Sequence, residues 1–424
     1  MGFFSELVNR IGGKKTGFIE RVWEFDSKSS ILSSAACADI DYDGKTEIIF
    51  GTKDGQIYCL DTEGKMKWMQ KLEASVGAVE SMFLEKEAMN SIYAVPILTE
   101  FVNGDKKFVI IIASENGLVS ALNSEGKVLW QFKAKAAVRS QPLVIDINND
   151  NKKEIIFGSR DKLLYVLNQE GGLLWQYESE SGIESSPEFF KNSSNQIVFG
   201  TNEGFITSLT ADGKVNWKFK TGGRIGAKPV VADIFGKKKP IILTGSEDNY
   251  LYALDEKGNI VWKFQSQGHL YTQVTASDVD QDGEQEIFFG SGDDKIYALS
   301  PNSQKMWTYE TNFWVVAPII VSDIDYDGRS EVVAGSYDKS VYVLDAVGTF
   351  SLDYMPGISG VVYQPGHTSE IMTQEPGKLV GTKLFQFHTD GVITGIALHK
   401  QDEISNIIVS TKEGKLLCLT YKKG

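Results

Sequence analysis

Four short acidic segments have the residue types and the spacing of a calcium-binding loop. Each places a carboxylate or amide oxygen at loop positions 1, 3, 5 and 9, and Gly or Asn at position 6, where a left-handed turn is needed. A backbone carbonyl at position 7 would help to complete the roughly six to eight oxygens that Ca²⁺ requires. In the order of positions 1, 3, 5, 7 and 9, the segments contain Asp39, Asp41, Asp43, Lys45 and Glu47; Asp146, Asn148, Asp150, Lys152 and Glu154; Asp278, Asp280, Asp282, Glu284 and Glu286; and Asp323, Asp325, Asp327, Arg329 and Glu331.

The chemistry of these segments favours a hard cation. Carboxylates in one short loop repel one another unless a cation lies among them. Neither His nor Cys occurs in the segments, which argues against zinc. We therefore expect up to four structural Ca²⁺ ions. The alternatives are Mg²⁺, or polar turns that bind no ion at cytosolic calcium levels. The corresponding segment at Asp233 is degenerate, and we expect no ion there.

The acidic segments belong to a repeat of about 45 residues. An 18-residue phrase, for example GSEDNYLYALDEKGNIVW at 245, has six full copies, a seventh without its Trp and a truncated eighth. Each copy reads as three strands separated by turns, and one more apolar segment precedes it. Four strands in each repeat predict an all-β, eight-bladed β-propeller whose blades contain four antiparallel strands. Each acidic segment would then join the two innermost strands of a blade.

The N-terminal region supplies the strand that the truncated eighth copy lacks. Residues 17–25 contain Trp23, which lies 45 residues before Trp68 and has the sequence context of a fourth strand. We expect these residues to pair with the strand near Leu416–Leu419 and to complete the last blade. A ring closed in this way has no exposed sheet edge. The propeller would span residues 17–424.

Longer segments interrupt the repeat near residues 80–95 and 353–388. We expect both to lie between the outer strand of one blade and the inner strand of the next. Such long connections in a compact repeat are often functional.

Residues 1–16 are expected to lie outside the ring. Their sequence predicts a short amphipathic helix followed by a Gly-Gly-Lys-Lys linker. This helix could pack on the ring, dock on a partner or contact a membrane surface. The sequence has neither the features of a signal peptide nor an apolar run that could span a bilayer, so a cytoplasmic location is expected. The apolar residues at helical spacing are Phe3, Phe4, Leu7, Val8 and Ile11.

The repeats resemble those of two known propeller families. Residues 253–262, with Asp255, Gly258 and Trp262, resemble the tryptophan-docking repeat of PQQ-like quinoprotein propellers, although they are one residue shorter and lack its Thr. Residues 39–51 resemble the FG-GAP (VCBS, integrin-type) repeat. The resemblance runs from about residue 17 to the end and implies the fold, but propellers of this kind include enzymes, assembly scaffolds and adhesion proteins. PQQ is not expected, because the adjacent cysteines and the cofactor sandwich of quinoprotein dehydrogenases cannot be placed.

A second candidate site lies where loops enter the innermost strands, at the axial mouth of the ring. Arginine beside aromatic residues in a concave mouth suits an anionic or ring-shaped small ligand, or a peptide. Tyr363 and His367 of the second long segment could reach this mouth. The alternative is a solvated rim without a ligand. The predicted ligand-binding residues are Arg139, Arg224, Lys228, His269, Tyr271, Phe313 and Trp314.

The composition narrows the function. A net charge of −13 argues against nucleic-acid binding, which depends on clustered Lys and Arg. Three cysteines, Cys37, Cys59 and Cys418, are too few for a disulfide framework. The sequence contains no HExxH or GxSxG motif, so we expect a non-catalytic, calcium-stabilised scaffold for other proteins. The alternatives are a small-ligand sensor or PQQ-like oxidoreductase that uses the axial mouth, and an extracellular adhesin or glycan-binding protein.

Overall fold

The computed structural model describes residues 17–72, 90–103, 105–191, 195–350, 379–401 and 404–423. The regular elements in this part of the chain are β-strands, which form eight sheets of four strands. Neighbouring strands of a sheet run antiparallel. The eight-bladed β-propeller is therefore confirmed.

The first strand, β1 (Gly17–Asp26), belongs to the last blade, and the other strands follow blade by blade. Blade 1 contains β2 (Ala36–Ala38), β3 (Glu47–Gly51), β4 (Gln56–Leu60) and β5 (Met66–Lys71). Blade 2 contains β6 (Ile97–Asn103), β7 (Asp105–Ala113), β8 (Leu118–Leu122) and β9 (Val128–Lys133). Blade 3 contains β10 (Leu143–Ile145), β11 (Glu154–Gly158), β12 (Leu163–Leu167) and β13 (Leu173–Glu178). Blade 4 contains β14 (Glu188–Phe190), β15 (Gln196–Gly200), β16 (Phe205–Thr210) and β17 (Val215–Lys220).

The second half of the ring has the same order. Blade 5 contains β18 (Val230–Ala232), β19 (Ile241–Gly245), β20 (Tyr250–Leu254) and β21 (Ile260–Gln265). Blade 6 contains β22 (Thr275–Ser277), β23 (Glu286–Gly290), β24 (Lys295–Leu299) and β25 (Lys305–Glu310). Blade 7 contains β26 (Ile320–Ser322), β27 (Glu331–Gly335), β28 (Ser340–Phe350) and β29 (Leu379–His388). Blade 8 contains β30 (Ile393–Gln401), β31 (Ile404–Thr411), β32 (Lys415–Lys423) and β1.

The hydrophobic core lies between neighbouring blades. All residues of the second strands β3, β11, β19, β23 and β27 are buried, because both faces of a blade pack against its neighbours. Leu243 of blade 5 and Phe289 of blade 6, for example, belong to one cluster. The fourth strands alternate between half-buried and exposed residues, as in β21.

The ring closes through the N-terminal strand, as predicted. β1 pairs with β32, and Trp23 lies opposite Cys418. The first strand of blade 8, β30, contacts the first strand of blade 1, β2. The indole Nε1 of Trp23 donates a hydrogen bond of 2.9 Å to the carbonyl of Thr62, which joins blade 8 to blade 1.

The predicted N-terminal helix is wrong as an element of this fold. The described residues form strands and turns without a helix, and residues 1–16 lie outside them. The described part of the chain thus offers no helix with the length and hydrophobicity to cross a membrane.

The prediction for the second long segment is also wrong. Leu379–His388 form β29, the outermost strand of blade 7, so the segment lies within the β28–β29 connection and not between two blades. The outer strand was missed because Phe385 occupies the position that Trp takes in other blades. Tyr363 and His367 lie outside the described residues. The other long segment connects β5 to β6, and its residues 73–89 are likewise outside the described part.

Candidate functional site

The two predicted sites lie on opposite faces of the ring. The acidic loops that begin at Asp39, Asp146, Asp278 and Asp323 connect the first strand of a blade to the second, and we call this side the acidic face. The loops that enter the first strands lie on the opposite side of the ring, beside the turns that join the second strands to the third. We call that side the entry face. On the entry face of each blade, the turn between the second and third strands donates a backbone hydrogen bond to the loop that enters the first strand. In blade 7, the Tyr337 N–H donates to the Trp314 carbonyl at 2.9 Å.

The acidic loops are held in shape by the same internal hydrogen bonds. In the loop of Asp278, its Oδ2 accepts the N–H of Gly283 at 3.0 Å, and Asp282 Oδ1 accepts the N–H of Glu284 at 2.8 Å. The buried Glu286 accepts the N–H of Val279 at 3.0 Å. The other three loops repeat these bonds. Each loop therefore makes the same set of bonds between its own residues.

Three of the loops also bring carboxylate oxygens together. In each, three such oxygens lie within 4.8 Å of one another. Asp39 Oδ1 is buried without a hydrogen-bond partner. Burial, together with the charges of Asp280 and Asp282, raises the pKa of Glu286 to about 7. A cation beside these oxygens would offset their repulsion, so the three groups suit a positive charge, either that of a metal ion or that of an ammonium group. The three groups are Asp39, Asp41 and Asp43; Asp278, Asp280 and Asp282; and Asp323, Asp325 and Glu331.

Two of the loops already contain a nitrogen donor among their oxygens. The Asn148 Nδ2 lies 3.2 Å from Asp150 Oδ2 and 3.4 Å from Glu154 Oε1. In the loop of Asp39, the Lys67 Nζ from β5 lies 2.7 Å from both Asp41 Oδ2 and Glu47 Oε1. These donors take over part of the role that a metal ion would have.

The degenerate loop of blade 5 uses its carboxylate differently. Asp233 accepts the backbone N–H groups of Lys237, Lys238 and Lys239 at 2.6–3.3 Å. Both of its carboxylate oxygens are therefore used within the turn.

On the entry face, the predicted basic residues are paired with carboxylates. Arg139 makes a bidentate pair with Glu115, at 2.6 and 2.8 Å, and this bond raises the pKa of Arg139. Arg224 lies 2.9 Å from Glu184 and 3.2 Å from Glu247. Arg160 lies 3.0 Å from Glu184, so three arginines and three glutamates offset one another. We call this set the charged network: Glu115, Arg139, Arg160, Glu184, Arg224 and Glu247.

Lys228 is also neutralised. Its Nζ lies 2.7 Å from Glu188 Oε2. The structure therefore gathers the predicted basic residues on the entry face but gives each of them a carboxylate partner. This arrangement reduces their attraction for an anionic ligand.

The predicted aromatic residues form a continuous exposed surface. Tyr271 lies between His269 and Trp314, with ring centroids at 5.7 and 6.2 Å. Phe313 lies 5.4 Å from Trp314 and stacks on Tyr337 at 6.4 Å. Tyr271, Phe313 and Trp314 are 37%, 46% and 40% exposed. We call these five residues the aromatic patch.

Sequence reasoning missed Tyr337 because it lies in the turn after β27 and not in a loop that enters a first strand. The signal was available in the repeat. The matching turn position holds a small, polar or charged residue in other blades, for example Gly292, Glu247 and Lys53.

Comparison with known proteins supports the fold. The family model of the lambda-carrageenase beta-propeller domain matches residues 19–95, 196–276 and 265–355, together more than half of the chain. No curated protein matches the sequence.

Solved structures share the architecture at low identity. The crystal structure of BamB from Moraxella catarrhalis has 12% identity and a TM-score of 0.61, with 95% of this chain and 99% of that chain covered. The C-terminal WD40 domain of Sif2 has 15% identity and a TM-score of 0.62, with 96% and 99% covered. BBS1N, in complex with ARL6DN, has 10% identity and a TM-score of 0.54, with 96% and 98% covered. Similarities at this level establish the common fold alone.

Proposed function

We propose that this chain, which belongs to the family of the lambda-carrageenase beta-propeller domain, is a rigid propeller that binds other proteins through the aromatic patch. The observation that carries this proposal is the continuity of five rings on the entry face, where Phe313 and Trp314 are 46% and 40% exposed. Exposed aromatic residues are enriched at the centres of protein interfaces. A patch fixed on closed sheets loses little conformational entropy on binding.

The charged network supports this proposal. It lies on the same face, and its carboxylates and guanidinium groups are already paired, for example Arg224 with Glu184 at 2.9 Å. A polar, satisfied rim beside an apolar centre is typical of protein interfaces. One structural neighbour, BBS1N, was crystallised in complex with ARL6DN. Protein binding by the present ring is proposed by analogy with that use of the fold.

We further propose that the repeats are of the PQQ-like and FG-GAP type. The docking of a tryptophan against a glycine turn of the next blade supports the PQQ-like type. Trp217 Nε1 donates to the Glu256 carbonyl at 2.9 Å, and Gly258 lies against its ring. The acidic loops between first and second strands support the second.

A double substitution tests the role of the patch. Phe313→Ser with Trp314→Ser removes two neighbouring exposed rings of the patch. We expect this double variant to lose the partners that the wild-type ring recovers from a lysate of the encoding organism. The control is Leu174→Ser, which removes an equally exposed apolar side chain from the outer strand β13. The proposal fails if the double variant and the control recover the same proteins in the same amounts.

We also propose that Ca²⁺ binds to the loops of Asp278 and Asp323 on the acidic face. The clustered oxygens of both loops and the raised pKa of Glu286 support this assignment. A bound ion would supply positive charge and hold the connection between the first two strands of blades 6 and 7. Its role would be structural, with no catalytic step assigned to it.

Thermal unfolding with and without calcium tests the ion. Millimolar Ca²⁺ is expected to raise the melting temperature relative to a chelator, and Asp278→Asn combined with Asp323→Asn to abolish this increase. Asp233→Asn is the matched control, because Asp233 lies in the degenerate loop. In this variant calcium should still raise the melting temperature. A melting temperature that calcium leaves unchanged in the wild-type protein contradicts the assignment.

A second candidate function is glycan binding at the aromatic patch. The family is named for a carrageenase, and exposed rings such as Tyr271 and Trp314 can stack on sugars. The net charge of −13 disfavours a sulfated polymer, which is why protein binding is preferred. Calorimetric titration with carrageenan oligosaccharides distinguishes the two: saturable binding that Trp314→Ser abolishes favours the glycan, and no heat of binding excludes it.

A further inference from the structure

The first acidic loop contains a cation that the protein itself supplies. The Lys67 Nζ lies 2.7 Å from Asp41 Oδ2 and 2.7 Å from Glu47 Oε1. The Glu47 side chain is 1% exposed and that of Lys67 is 31% exposed. The ammonium group therefore bridges a position 3 carboxylate and the buried position 9 carboxylate, two groups that a metal ion in this loop would also contact.

The other acidic loops have no lysine at this position. Lys67 directly precedes Trp68, which lies opposite Cys59 in the register of blade 1. The corresponding residues in blades 3, 6 and 7 are apolar, namely Leu174, Met306 and Leu384. An apolar side chain cannot neutralise a carboxylate.

The loop of Asp278 shows the consequence. Its buried Glu286 is 3% exposed, and in the described part of the chain no Lys or Arg forms an ion pair with it. This loop has the same backbone bonds as the loop of Asp39, but Met306 takes the place of the lysine.

We propose that Lys67 serves as the permanent cation of the first loop, so that this loop excludes Ca²⁺ while the loops of Asp278 and Asp323 bind it. The inference deepens the calcium proposal and rests on it for those two loops. To enter the first loop, a metal ion would have to displace Lys67 from two close contacts and leave its charge beside the ion. Both effects oppose binding.

Counting bound ions tests this inference. Equilibrium dialysis of the full chain against millimolar Ca²⁺, with metal analysis, is expected to show one more ion in Lys67→Met than in the wild-type protein. Methionine is the residue that blade 6 already has at this position. Lys65→Met is the matched control, since Lys65 pairs with the exposed Glu63 and its loss should leave the count unchanged. Equal counts in the wild type and Lys67→Met would overturn the inference.

A second variant keeps the test decisive if Lys67→Met does not fold. Asp39→Asn in the wild-type background is expected to leave the ion count unchanged, whereas Asp278→Asn loses one ion. Loss of an ion from Asp39→Asn shows that the first loop binds metal and overturns the inference.

The same counts separate this inference from the calcium proposal. If the wild-type chain binds no Ca²⁺ but Lys67→Met binds one ion, the role of Lys67 stands and the assignment for the other two loops is wrong. If neither binds Ca²⁺, both are wrong.

Discussion

An aspartate in the turn after the second strand fixes three groups at once. Asp248 Oδ2 accepts the Tyr252 hydroxyl at 2.7 Å and the Gly222 N–H at 2.8 Å, and its Oδ1 accepts the Tyr250 N–H at 3.0 Å. Asp161 and Asp338 make the same three bonds in their blades. One carboxylate therefore ties the turn to its own strand and to the loop that enters the blade.

Removing one hydroxyl tests the strength of this arrangement. Tyr252→Phe leaves the ring in place but removes a hydrogen bond to a charged acceptor, and we expect the free energy of unfolding to fall by about 2 kcal/mol. Urea denaturation would measure the change. Tyr250→Phe is the control, because its ring remains in contact with Lys263 and Tyr250 bonds Asp248 through its backbone N–H, which the substitution keeps. A similar loss in both variants would contradict the role of Asp248.

The buried His399 predicts a pH dependence. Its side chain is 5% exposed, and its Nε2 has no hydrogen-bond partner among the residues that the structure describes. Burial lowers the pKa of His399 below the ordinary value of about 6.5. The unfolded chain therefore takes up a proton at a higher pH than the folded protein does. The stability that His399 contributes is complete above about pH 6.5 and decreases as the pH falls towards its lowered pKa.

Stability measured between pH 7.5 and 5 checks this expectation. In His399→Gln the free energy of unfolding should fall less steeply with acidification than in the wild-type protein. His388→Gln, which replaces a histidine that contacts Ser340, is the control. Parallel slopes in the wild type and His399→Gln would refute the assignment.

At the scale of the strand, a tryptophan joins every blade except blade 7 to the next. Trp217 of blade 4 donates to the Glu256 carbonyl in blade 5, and Gly258 of that turn has a φ of +81°. In blade 7, Phe385 replaces Trp and packs on Tyr421, with ring centroids at 5.2 Å. No turn joins β32 to β1 in blade 8, so a tryptophan there would have no turn to dock against. Ring closure thus accounts for the one outer strand that lacks Trp.

Two glycine substitutions distinguish the stability that tryptophan docking contributes from the cost of a positive φ angle. A Cβ at Gly258 would lie 2.6 Å from the Trp217 ring, whereas a Cβ at Gly44, with a φ of +82°, would meet nothing within 4 Å. We expect Gly44→Ala to cost about 1 kcal/mol, the conformational part alone, and Gly258→Ala to cost about 3 kcal/mol. Chemical denaturation of both variants provides the comparison. Equal losses would mean that the tryptophan contact contributes little.

At the scale of the whole molecule, the ring depends on its N-terminal strand. A chain that starts at Gly17 keeps β1 and should unfold cooperatively like the full chain. A chain that starts at Ser27 lacks β1, exposes the edge of β32, and is expected to aggregate or to melt at a much lower temperature. Size-exclusion chromatography and thermal melts distinguish these outcomes. A stable monomer from Ser27 onwards would contradict the importance of closure.

The sequence predicted the ring because its landmarks are local. The spacing of Trp23 and Trp68 placed β1 against β32, and the structure shows Trp23 opposite Cys418. The position of β29 was missed because its landmark is Phe385. The neutralisation of Arg139 could not be predicted, because Glu115 lies 24 residues away in another blade and its contact depends on the packing of the ring. Unlike the docked tryptophans, this ion pair has no periodic signal in the sequence.

The pairing of β1 with β32 also affects how the protein is made. The ribosome produces β1 first, but the partner of Trp23, near Cys418, emerges almost four hundred residues later. At about 5–20 residues per second, the first strand waits for roughly twenty seconds or more while the intervening blades fold. During this interval its alternating apolar side chains are available to other nascent chains, and only the emergence of β32 protects them.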